Sequence, residues 1–127
     1  MEILLDTHAI IWFFDNDSRL SKLAVEAFYE LDNTIFVSIA SIWEIGIKLS
    51  TGKLALTHGI DGFIEAINDN EFRLLEVSPD HIKTITELPF IHRDPFDRML
   101  IAQAKVEGMH LMTADDNIIK YDIKHIW

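Results

Sequence analysis

The sequence predicts a single α/β domain, a sandwich with a central parallel sheet and helices on both faces. Three observations carry that expectation. Five short apolar runs, at residues 2–5, 34–37, 72–77, 109–112 and 123–126, are separated by stretches with helical apolar spacing. Runs this short and this continuously apolar suit strands buried on both faces, and their alternation with helices makes the sheet parallel. The chain has 127 residues and is 49% hydrophobic, enough for one buried core and too little for two comfortable domains.

Each element has a local justification. Glu2-Ile3-Leu4-Leu5 is the first strand, and a nearly all-apolar helix runs from His8 to Phe14 until Asp15-Asn16-Asp17 breaks it. Ser18 or Ser21 caps a second helix to Leu31, with Leu20, Leu23, Ala24, Ala27, Phe28 and Leu31 on one stripe. Asp32-Asn33 turns the chain into the strand at 34–37, and Ser38 opens a helix that Thr51-Gly52 stops. A helix at 60–69 and the strand at 72–77 follow; Ser78-Pro79 then starts a helix to 87. Asp94-Pro95 starts a helix that ends at Gly108, combining a proline just inside the start with a glycine just past the end. The strand at 109–112, a short helix at 115–120 and the strand at 123–126 complete the chain.

Composition narrows the function classes. Five Gly and three Pro argue against a loop-rich or disordered chain. The absence of cysteine excludes disulfides and thiolate metal sites and is compatible with a reducing compartment. No basic leader with a cleavage site precedes the first strand, and no apolar run is long enough to cross a bilayer, so the expected location is cytoplasmic. The formal net charge of −10 counts against an open nucleic-acid-binding face. Divalent cations neutralising clustered carboxylates would reconcile it, as would a basic protein partner; a plain solubility role is the third reading.

The chemistry lies in four acids. Asp6 directly follows the first strand, Glu44 lies in the helix after the second, Asp97 sits in the first turn of the helix opened by Asp94-Pro95, and Asp115 follows the strand at 109–112. In parallel sheets the reactive groups gather outside the carboxyl ends of the strands. Four carboxylates brought to one rim raise each other's pKa and call for a cation. Hard oxygen donors suit Mg²⁺ or Mn²⁺, and the matching reaction is metal-assisted hydrolysis of a phosphodiester. Each acid also has a structural reading. Asp94 fits an N-cap with Asp97 at the third helical position, and Ser41 with Glu44 and Thr113 with Asp116 fit capping boxes. In the last case Asp116 does the capping and Asp115 turns to the site. Thr7 is available to cap in place of Asp6.

At these residues the chain resembles the PIN-domain family, specifically VapC-like toxins. The resemblance rests on Leu4-Leu5-Asp6-Thr7-His8, on Val37-Ser38-Ile39-Ala40-Ser41-Ile42-Trp43-Glu44-Ile45 with Lys48, on His92 to Ala104, and on Leu111-Met112-Thr113-Ala114-Asp115. It implies a PIN-like α/β/α sandwich over residues 1–127, ribonuclease activity with Mg²⁺ or Mn²⁺, a homodimer and a small antitoxin that covers the site. It carries over Asp6, Glu44, Asp97 and Asp115 as the acidic site and treats Asp6 and Asp97 as the surest metal ligands.

Supporting residues have two readings each. The hydroxyls of Thr7, Ser38 and Thr113 either orient the acids or cap helices. Arg98 either meets RNA phosphate or pairs with a neighbouring acid. Lys48 stands one turn after Glu44, as an ordinary i,i+4 partner. The six histidines show no tight metal spacing, and His8 and His92 are assigned to packing or surface hydrogen bonding. The run Trp12-Phe13-Phe14 is expected in the core, with a dimer face or antitoxin groove as the alternative. Two rival functions remain. A dehalogenase-type phosphatase needs a second Asp two residues after Asp6, where this chain has His8. An inactive PIN-like module that only binds a partner would have no need of all four acids.

Overall fold

The computed structural model describes residues 1–127. Five strands, β1 (Glu2–Leu5), β2 (Thr34–Ser38), β3 (Arg73–Leu75), β4 (His110–Met112) and β5 (His125–Ile126), form one sheet in the order β3-β2-β1-β4-β5. Every pairing is parallel, as the alternation of runs predicts. Six helices connect them: α1 (Thr7–Phe14), α2 (Lys22–Tyr29), α3 (Ile39–Ser50), α4 (Gly59–Asp69), α5 (Pro79–Glu87) and α6 (Pro95–Glu107).

The two-residue period of the strands builds a core on each face. Ile3 and Leu5 of β1, Ile35 and Val37 of β2 and Met112 of β4 face one side, where they meet Ala9, Ile10, Ala24, Ile45, Phe63 and Ile67. Leu4, Phe36 and Leu111 face the other, against Leu100, Ile101 and Ala104 of α6, with Ile118 and Tyr121. Phe13 stacks on Phe28 and Phe14 on Phe72, Phe63 meets Phe14 edge-on, and the run Trp12-Phe13-Phe14 is half-buried against the first of these cores rather than enclosed in it.

The cap residues act largely as their types dictate. Asp6, Ser21, Ser38, Ser78 and Asp94 each accept a backbone N–H at the start of a helix. Gly108 ends α6 at φ 68°, in the left-handed region that favours glycine. Two expectations fail here. Ser41 and Glu44 form no capping box, because α3 starts three residues earlier at its Ser38 cap. Residues 115–120 form hydrogen-bonded turns, with Asp115 Oδ1 accepting from the backbone of Asn117 and Ile118. Six residues hardly repay helix nucleation, and the chain must turn at once to pair β5 with β4.

Chain order positions the site. From β1 the chain steps outward to β2 and β3, then returns to the opposite side of β1 with β4 and β5. The order therefore reverses between β1 and β4, where a crevice opens at the carboxyl edge. Helices that cross back over a parallel sheet begin at that same edge, so the first turns of α1, α3 and α6 point their side chains at it.

Candidate active site

Asp6 stands where β1 ends, beside β4: its backbone N–H bonds to Met112 O at 3.1 Å. It is the N-cap of α1, with Oδ1 accepting from Ala9 N at 2.7 Å, so the capping role open to Thr7 falls to Asp6. The side chain is almost fully buried, and this burial pushes its pKa up. The Thr113 hydroxyl, the Ala9 amide and His8 work against that rise, and the charge of Asp115 adds to it.

Asp115 is reached from β4 through Thr113, whose Oγ1 accepts from Asp115 N at 3.0 Å. One of its oxygens caps the following turn at Asn117 N, 2.8 Å away. The expected division of labour, with Asp116 capping and Asp115 free, is therefore corrected: Asp115 itself caps through one oxygen, and Asp116 is exposed. Asp6 and Asp115 share a cavity of about 220 Å³ with His8, Trp12 and Ala114.

Asp97 joins from the first turn of α6. Its carboxyl is pushed up to about 6, chiefly by burial, with the charges of Asp94 and Asp115 adding and His92 opposing. Asp115 thus raises both Asp6 and Asp97 and stands in reach of each. Asp97 does not line the cavity that Asp6 and Asp115 share; it is linked to that pair through the charge of Asp115.

Glu44 lies aside from this trio. Its Oε1 accepts from Thr7 Oγ1 at 2.7 Å and its Oε2 pairs with Lys48 Nζ at 2.9 Å. With its one proton on Glu44, the Thr7 hydroxyl accepts from Ser41 Oγ at 3.2 Å. Glu44 is therefore tied through Thr7 to the residue next to Asp6, and Lys48 is the i,i+4 partner that the spacing suggests. Ser38 is a helix cap on Ala40 N.

Arg98 follows neither of its two readings, since it pairs with no acid and is turned away from RNA. It is 4% exposed, and its guanidinium donates to the carbonyls of Ile85, Leu88 and Pro89 and to Tyr121 Oη. A guanidinium spent on the carbonyl-rich end of α5 is not presented to RNA.

His92 and Tyr121 were not read from the sequence as site residues, yet they hold Asp97. Tyr121 Oη accepts from Arg98 Nη1 at 3.0 Å and from the His92 backbone N–H at 3.3 Å. Its own proton has two acceptors in reach, His92 Nδ1 at 2.9 Å and His92 O at 3.4 Å, and the nearer nitrogen is the better one. His92 then carries its own proton on Nε2 and donates it to Asp97 Oδ2 at 3.1 Å. A buried arginine thereby fixes a histidine tautomer, and the histidine turns the carboxylate. Sequence spacing carries little of this, because Tyr121 lies 29 residues from His92.

The donor set fits a hard divalent cation. No three His, Asp or Glu side chains form a ready three-ligand shell. Mg²⁺ does not need one: it typically keeps several waters and binds through one or two carboxylates. Asp6, Asp97 and Asp115 offer carboxylate oxygens, and burial, with a smaller contribution from neighbouring acids, raises the proton affinity of Asp6 and Asp97, a cost that a bound cation would offset.

The family model of the PIN domain matches residues 3–124. The chain belongs to the PIN domain family. Among curated relatives it is similar to ribonuclease VapC22 of Mycobacterium tuberculosis, at 26% identity over 114 residues, 89% of this chain and 86% of that protein. Among solved structures this PIN domain is similar to a chain of the VapBC2 complex of Rickettsia felis bound to promoter DNA, with TM-score 0.75, 13% identity, and coverage of 99% and 98%. It is also similar to a chain of a toxin–antitoxin complex from Klebsiella pneumoniae, with TM-score 0.70, 17% identity, and coverage of 98% and 96%. No helix of the chain is long and apolar enough to cross a membrane.

Proposed function

We propose that this PIN domain is an endoribonuclease dependent on Mg²⁺ or Mn²⁺ and the toxin half of a toxin–antitoxin pair. The observation that supports the reading is the cavity shared by Asp6 and Asp115 past the ends of β1 and β4, with Asp97 near enough for the charge of Asp115 to raise its carboxyl. Ribonuclease VapC22 and the toxin–antitoxin complexes among its structural neighbours support the substrate class and the antitoxin partner.

Asp6, Asp97 and Asp115 would hold the ion, with Glu44 beside them through Thr7. A bound divalent cation supplies charge neutralisation at the phosphate and activation of the attacking water. The protein's own part is to fix the acids. The amide of Ala9 holds one oxygen of Asp6, the turn at Asn117 holds one of Asp115, and His92 holds one of Asp97. Each carboxylate keeps one oxygen outside that particular anchor. In the reaction, water oxygen bonds to phosphorus, the bond to the leaving ribose oxygen breaks, and that oxygen takes a proton.

The test compares wild type with Asp6→Asn and Asp97→Asn on single-stranded RNA with Mn²⁺. Cleavage by wild type and its loss in both folded variants is expected. Equal cleavage by all three would overturn the proposal, and absence of cleavage in all three would leave a partner-binding module.

A further inference from the structure

An acidic ribonuclease must hold its substrate by something other than charge. The chain has 11 Lys and Arg against 21 Asp and Glu. Of the cations near the acids in the chain, Lys48 pairs with Glu44, Arg98 is buried on carbonyls and Arg19 is forked onto Asp17 at 2.7 and 3.1 Å, while Arg93 stands exposed beside Asp94. Phosphate neutralisation, the usual source of nucleic-acid affinity, therefore has few groups to act through here.

The wall beside the acids is aromatic. The cavity that holds Asp6 and Asp115 is completed by His8, Trp12 and Ala114. His8 is exposed, and its ring lies 5.5 Å from that of Trp12 with the planes 34° apart. Trp12 turns away from the Phe13–Phe14 cluster and is braced on two sides. Trp127 meets it edge-on at 5.8 Å, and the Arg19 guanidinium lies over one face of the indole, 4.7 Å from the ring centre. A braced indole pays little ordering entropy when a second ring stacks beside it.

We propose that His8 and Trp12 form a stacking subsite for an unpaired nucleobase next to the phosphodiester that is cleaved. This deepens the ribonuclease reading and rests on it. Stacking acts through the π-face that every base carries, so the subsite tolerates sequence and selects for unpaired RNA. Its affinity also depends on salt far less than phosphate contacts do.

The experiment uses a short single-stranded RNA that the protein cleaves, with one abasic residue placed in turn on either side of the scissile bond. At one position the abasic residue is expected to raise KM about tenfold in wild type and to change kcat much less. The same abasic residue is expected to cost His8→Ala and Trp12→Ala almost nothing further. His8 is exposed, so His8→Ala tests the subsite without disturbing the core; thermal unfolding shows whether Trp12→Ala keeps the fold. In parallel, tryptophan fluorescence is followed in EDTA, where no cleavage occurs, as intact RNA is added to wild type and to Trp12→Phe. Quenching in wild type that is lost in Trp12→Phe supports stacking.

KM values for the variants that match wild type, or abasic penalties that persist undiminished in them, overturn the subsite. So does quenching by a basic peptide and by no RNA, which assigns the platform to a protein partner. A wild type that cleaves no RNA overturns the nuclease reading instead, and the fluorescence then decides the platform alone.

Discussion

Burial gives Asp97 a proton affinity that a free carboxylate lacks, and the sign of the consequence can be worked out. Its carboxyl titrates at about 6 in the fold and near ~3.9 in an unfolded chain. Between those values the folded state binds the extra proton, so the metal-free protein loses stability as pH rises from about 4 to about 6. Asp97→Asn removes that penalty. The metal-free variant is expected to be more stable than wild type at pH 7, on the order of 1–2 kcal/mol after allowance for partial solvation, with the gain gone near pH 4. Urea unfolding in EDTA at the two pH values measures this, and a variant that is weaker at pH 7 would contradict it. Tyr121→Phe probes the same acid from behind. It takes away the hydroxyl that links Arg98 to His92, so the His92 ring loses its fixed tautomer. Expected are a fall in kcat of roughly tenfold to a hundredfold, a matching loss of Mn²⁺ affinity, and a KM for RNA close to wild type. A variant with unchanged Mn²⁺ affinity would make Tyr121 a packing residue only. At this scale the sequence was readable for the acids and unreadable for Arg98. An arginine next to a candidate ligand looks like a phosphate contact until the fold sets the carbonyls of Ile85, Leu88 and Pro89 around it.

The helix starts are what aim the acids at the carboxyl edge, and α6 shows it best. Asp94 accepts from Phe96 N and Asp97 N, both at 2.9 Å, so it sets the first turn in which Asp97 lies. Asp94→Ala is expected to cost about 1 kcal/mol in stability and to reduce cleavage, while Asp94→Asn, which keeps the accepting oxygen, restores both. Loss of cleavage in a stable Asp94→Asn would give Asp94 a direct part in the chemistry. Strong punctuation explains why this helix was legible in the sequence: a cap, a proline and a terminal glycine frame residues 94–108. Weaker signals gave poorer boundaries. The apolar run at 72–77 pairs only over Arg73–Leu75, and the run at 123–126 only over His125–Ile126, because both strands lie at the sheet edges with a partner on one side. The stretch 115–120 carries helical chemistry, but tertiary pairing of β5 overrides it.

At the scale of the molecule, parallel pairing joins residues that no local pattern connects: β1 pairs with β2 about the second fifth of the chain and with β4 near its end. The sequence put all four acids at one rim and left strand order open, so it foretold that Asp6 and Asp115 come together but not that Glu44, tied to Thr7, and Asp97 stay outside the cavity those two share. The same arrangement leaves one face uncovered. Between α3, α5 and α6 lies an apolar groove of about 740 Å³, bordered by Trp43, Ile82 and Phe90, which are 65%, 53% and 82% exposed. An exposed apolar patch of this kind marks an interface. We propose that a second copy of the chain fills it, as the resemblance to VapC-like toxins implies, with apolar burial offsetting the repulsion between two copies that each carry a charge of −10. Trp43→Glu places a charge in the groove at a largely exposed position, where a substitution is expected to change monomer stability by no more than about 0.5 kcal/mol. The expected result is a wild-type dimer and a folded monomeric variant in sedimentation equilibrium at the same concentration. A variant that remains dimeric moves the interface elsewhere, and a wild type that sediments as a monomer overturns the homodimer that the resemblance implies.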